Sequence, residues 1–110
     1  MNSKYIIINT TFDNEEDANI TINTLLREKL VSCAQTSRVD SKYHWQGKIE
    51  NNHEILVVLK TKRVLYDKVE ETILRLHNYK MPQIVAYPIV KGSKDYLNWI
   101  DEETLKEIKL

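Results

Sequence analysis

The sequence has 110 residues, 42% of them hydrophobic and 29% charged, with two glycines and two prolines; that balance excludes disordered and collagen-like chains and suits one compact core. Sixteen Lys and Arg offset sixteen Asp and Glu, so no net positive field draws in nucleic acid or anionic lipid. No apolar run reaches the length of a membrane span or a signal-peptide core, and the lone Cys33 cannot close an internal disulfide. The expectation is a single cytoplasmic domain over residues 1–110, with no nucleic-acid or membrane partner.

Tyr5 to Asn9, Tyr-Ile-Ile-Ile-Asn, is a β-branched run ended by the polar Thr10–Thr11 pair and reads as a first strand. Asp13 with Glu16 three positions on forms an acidic variant of a capping box, which predicts a helix over residues 14–30. Within it Ala18, Ile22, Leu25, Leu26 and Leu30 recur at steps of three and four, a stripe fit to face a sheet. Asn19, Asn23, Arg27 and Glu28 fall on the water side.

Val31 to Trp45 has no Gly or Pro and many Ser, Thr, Val and Tyr residues, so it is predicted as a long strand ended by Gly47. Lys48 through Glu54 is read as the turn back, and Ile55-Leu56-Val57-Val58-Leu59 as a fully apolar strand. From Arg63 to His77, the residues Leu65, Val69, Ile73 and Leu76 keep helical spacing, with Thr61 available as a cap. Pro82 breaks the chain. Ile84 to Ile89 supplies another strand, whose Pro88 suits an edge. After Gly92 a last helix carries Tyr96, Leu97, Ile100, Leu105 and Ile108.

The order β-α-β-β-α-β plus a C-terminal helix is that of a ferredoxin-like α+β fold, with two helices on one face of an antiparallel sheet. Were the other face wet, alternate residues in Ile6 to Ile8 and Ile55 to Leu59 would be polar, and they are not. Either the last helix alone or another subunit must cover that face, and one helix spans only part of a sheet. Self-association is therefore expected.

Leu30-Val31-Ser32-Cys33-Ala34, Tyr43-His44-Trp45-Gln46-Gly47-Lys48, Glu54 with Lys60-Thr61, His77-Asn78-Tyr79-Lys80-Met81-Pro82-Gln83-Ile84 and Tyr96-Leu97-Asn98-Trp99-Ile100 occur in that order. Together they resemble the CutA family, small trimeric proteins associated with tolerance to divalent cations. The resemblance implies a homotrimer in which long hairpins pack against neighbouring sheets. Gln83 departs from the Glu usual in the family's His-x-Tyr-x-x-Pro-Glu-Ile signature, which replaces a hard anionic donor by a neutral amide.

The copper site proposed in this family falls here on Asn9, Leu76 and His77, of which only His77 is a good copper ligand. His77 is thus the candidate metal residue, with copper as the candidate divalent cation and no cofactor required. Its other reading is a helix-end imidazole that meets the last carbonyls. Tyr43, Glu54, Lys60, Tyr79 and Gln83 form a candidate ligand pocket for a metal or small molecule between subunits, or an interfacial network that fixes the trimer. Cys33 reads as a small core residue, and Trp45 and Trp99 as structural. No nucleophile series, phosphate loop or metallohydrolase motif is present, so a non-enzymatic role is expected. The alternative function is a metabolite-binding regulator like the PII trimers, an analogy of fold.

Overall fold

In the computed structural model, which describes residues 3–106, the chain runs β1 (Tyr5–Phe12), α1 (Glu15–Arg27), β2 (Cys33–Trp45), β3 (Lys48–Lys62), a 3-10 turn (Arg63–Leu65), α2 (Tyr66–Leu76), β4 (Ile84–Pro88) and α3 (Lys94–Glu103). The four strands form one antiparallel sheet in the order β2-β3-β1-β4. This is the expected α+β, ferredoxin-like arrangement, and Pro88 does lie on an edge strand. Ile108, expected in the last helix, lies outside the described residues.

β1 runs beyond the predicted Asn9 to Phe12, because β-branched Thr10 continues the inward alternation of Ile6 and Ile8 and Phe12 completes it. These residues meet Ile55, Val57 and Leu59 of β3 on one face, where α1 and α2 add Ala18, Ile22, Leu25, Val69 and Ile73. That cluster is the core.

The cap of α1 is Asn14, whose side-chain oxygen accepts the Asp17 amide at 2.8 Å, and not Asp13 as predicted. Asp13 instead accepts the Asn14 and Asn78 side-chain amides. The helix stops at Arg27 rather than Leu30. Lys29 takes a left-handed φ of 58°, and the Leu30 amide returns to the Leu25 carbonyl at 2.9 Å, a Schellman-type end. Leu30 still fills the core, which is why the apolar period overran the helix. Thr61, predicted to cap α2, lies within β3 and donates its hydroxyl to the Leu30 carbonyl at 2.6 Å.

The largest correction concerns the hairpin. Lys48 to Glu54 is strand, not turn; Trp45 pairs with Lys48, and only Gln46 and Gly47, at φ 50° and 78°, reverse the chain. Two successive left-handed residues make a type I′-like turn, whose twist matches the strands it joins.

α3 lies on the sheet face opposite α1 and α2. There Lys62, only 2% exposed, donates to the Asp101 carbonyl and carboxylate, and Lys60 lies over the Tyr96 ring. Cys33 sits on this face too, half-buried with Sγ 3.8 Å from the Tyr96 hydroxyl, rather than in the core. α3 covers one end only. Ile7, Leu56 and Val58 are half-buried, while Val85 and Tyr87 remain 47% and 44% exposed, so the last helix does not close the face alone.

Candidate functional site

Beyond the core the β2–β3 hairpin projects, and where it leaves the sheet a groove of ≈ 1250 Å³ opens between it and the loop that leads into β4. Glu54, Asn52 and Glu50 alternate along one face of β3, with Tyr43 opposite Glu50 on β2. Tyr79, Pro82 and Gln83 form the loop wall.

The position of Tyr79 follows from His77. Where α2 ends, the imidazole of His77 stacks on Phe12 with centroids 4.1 Å apart, and its Nε2 lies 2.7 Å from the Thr11 carbonyl. A carbonyl only accepts, so Nε2 carries the proton; Nδ1 then accepts the Tyr79 amide at 3.0 Å. So bracketed, Tyr79 donates its hydroxyl to Glu54 Oε2 at 2.8 Å.

Burial pushes the His77 pKa below its ordinary 6.5, against the opposing pull of the Thr11 carbonyl and nearby carboxylates. Burial, then the Glu54 bond, pushes the Tyr79 phenol well above 10. Both groups are neutral and fixed near pH 7. Glu54 is 8% exposed, and its Oε1 accepts no hydrogen bond from any described residue.

Of the five predicted pocket residues, the groove gathers Tyr43, Glu54, Tyr79 and Gln83. Lys60 is not among them. It stands six residues along an extended strand from Glu54, about 20 Å away, where it donates to Gln35 at 2.9 Å beneath α3. His77 is present as a support behind Tyr79, with both ring nitrogens engaged by backbone; a metal would have to displace the Tyr79 amide from Nδ1. Asn9, at another of the proposed copper positions, donates to the Tyr87 hydroxyl at 3.3 Å. No group of three or more His, Cys, Asp or Glu side chains among the described residues converges as a metal site.

Sequence reasoning missed Asn52, which donates to the Tyr43 hydroxyl, and the exposed Asp40–His53 pair. Both lie on strand residues whose pairing only the true turn reveals. Asp40, His53 and Glu54 also border a second recess of ≈ 630 Å³ with Asp13 and Arg38.

The family described as CutA1 divalent ion tolerance protein matches residues 6–103. This chain belongs to the CutA1 family. It is 40% identical to the divalent-cation tolerance protein CutA of Pyrococcus horikoshii, over 92% of this chain and 99% of that one. The CutA structure from Archaeoglobus fulgidus superposes with a TM-score of 0.88 at 33% identity, covering 90% of this chain and 97% of that one. The chloroplastic CutA of Arabidopsis thaliana is 32% identical over 90% of this chain, which spans 55% of that longer protein.

These relatives correct the cytoplasmic expectation. The Archaeoglobus protein is described as periplasmic and the Arabidopsis protein as chloroplastic, so membership of the CutA1 family does not point to the cytoplasm. Among the described residues no helix is long and apolar enough to cross a membrane.

Proposed function

We propose that this CutA1 family member is a non-enzymatic homotrimeric binding protein in divalent-cation tolerance, and that it works through a ligand held in the Glu54–Tyr79 groove. The observation that carries this reading is Glu54, 8% exposed at the floor of a groove, with Oε2 fixed by Tyr79 and Oε1 bonded to no described residue. The exposed Val85 and Tyr87, with Tyr43, Trp45 and Ile49 on the hairpin, supply the apolar surface that a second and third copy would cover.

The second reading is direct copper binding at His77, favoured by an imidazole at the end of α2 and by copper's rank among divalent ions. It requires the Tyr79 amide to leave Nδ1. Thermal-shift measurements with Cu²⁺, Zn²⁺ and a panel of small metabolites, on wild type, Glu54→Gln and His77→Ala, decide between them. A ligand bound to the native state raises the melting temperature by mass action. The groove reading expects a ligand that stabilises wild type and not Glu54→Gln. A copper shift lost in His77→Ala but retained in Glu54→Gln would place the site at the imidazole instead.

A further inference from the structure

Two charges on the open side of the sheet lack a counter-charge. Lys60 is half-buried, and its ammonium meets neutral groups: it donates to the Gln35 side-chain oxygen at 2.9 Å and lies 5.5 Å from the centre of the Tyr96 ring. Glu50 is half-buried as well, on a hairpin whose adjoining residues are exposed. Neither enters an ion pair among the described residues, whereas Glu54, between them on β3, is held by Tyr79.

An even number of residues separates Glu50 from Lys60 on β3, so both side chains stand on the same side of the strand. At about 3.3 Å per residue they lie about 33 Å apart, beyond the reach of two side chains. They cannot meet within one chain. A ring of identical subunits removes that limit, because each of its interfaces joins one region of a subunit to a different region of the next. Lys60 stands on the sheet beneath α3, and Glu50 stands on the hairpin that projects beyond the core. A neighbour that covered the sheet without supplying a carboxylate would bury the Lys60 ammonium against an amide and a ring alone, and an ammonium buried without a counter-charge is strongly destabilising.

We infer that Lys60 of each copy forms an ion pair with Glu50 of the partner subunit, which sets the register of the hairpin on the neighbouring sheet. The apolar surfaces supply the area of contact, and the pair selects one orientation among the several that such surfaces allow. This inference rests on the reading of the chain as a homotrimer and names the polar contact that orients its subunits.

Sedimentation equilibrium on wild type, Lys60→Glu, Glu50→Lys and the double variant tests it, with circular dichroism to establish that each folds. Each single reversal is expected to weaken association by about tenfold or more, since like charges then face each other. The double variant restores the pair in reverse and is expected to recover most of the loss. Should Lys60→Glu not fold, Lys60→Met takes its place: Glu50→Gln is then expected to weaken association in the wild-type background and to leave it unchanged in the Lys60→Met background. A wild-type trimer that either single reversal leaves unchanged overturns the pair, as does a double variant no tighter than the weaker single. A wild type that stays monomeric overturns the assembly reading itself, and the pair with it.

Discussion

The Tyr79 hydroxyl donates to Glu54 Oε2 at 2.8 Å, which ties the loop ahead of β4 to the strand that floors the groove. Tyr79→Phe removes this bond and leaves Glu54, 8% exposed, without its donor. Urea unfolding should show a loss of about 1–3 kcal/mol. An unchanged midpoint would mean that the bond contributes nothing to the folded loop.

Alkaline titration gives a separate prediction. Tyr66 is pushed up to about 12, by burial and then by its bond to Glu70, and Tyr79 is raised as well. Folded-state values above the unfolded value of 10 mean stability that is fully present below pH 10 and lost as the pH rises toward 12. Ultraviolet titration should find two of the six tyrosines ionising late, one fewer in Tyr66→Phe and one fewer in Tyr79→Phe.

His77 predicts the opposite limb. Its folded pKa lies below the ordinary 6.5, so the neutral ring contributes stability present above pH 6.5 and lost as the pH falls through the folded value. Protonation also puts a hydrogen on Nδ1, which then cannot accept the Tyr79 amide. Proton NMR should place the His77 titration below the ordinary 6.5, and His77→Asn should flatten the fall in stability between neutral and mildly acidic pH.

How much of this could be read in the sequence depends on what each signal reports. The stripes of α1 and α2 and the edge role of Pro88 were legible, because burial on one side leaves a period; Leu26, expected on the α1 stripe, is instead 39% exposed. Lys48 to Glu54 was not, since a hairpin that projects beyond its own chain's core carries polar residues on both faces and polar runs look like turns. Gln46 hid the reversal further: Asn or Asp ahead of Gly would have announced it. At the site, Glu54 and Tyr79 were visible as polar groups near apolar strands. The exclusion of Lys60 and the supporting role of His77 were not, because each rests on where a distant element lands; His77 and Thr11 are 66 residues apart.

Lys62 and Asp101 carry a prediction about α3. The buried Lys62 ammonium donates to Asp101 at 3.1 Å, and that bond, with Lys4 and Lys106 nearby, holds the carboxyl at about 2. A depressed folded pKa means stability present above pH 3.8 and lost as the pH falls toward 2. Asp101→Asn should destabilise the chain at neutral pH, because it leaves Lys62 buried without its counter-charge, and should remove this step from acid unfolding. Hydrogen exchange should rise first in residues 94–103.

The central claim is that the half-covered sheet and projecting hairpin are completed by further copies of the same chain. Sedimentation equilibrium at micromolar concentration tests it most directly, on wild type and on Val85→Glu, which places a charge on the uncovered face. Three times the 13.0 kDa chain mass is predicted for wild type, with dissociation in the variant. A wild-type protein that sediments as a stable 13.0 kDa monomer would contradict it.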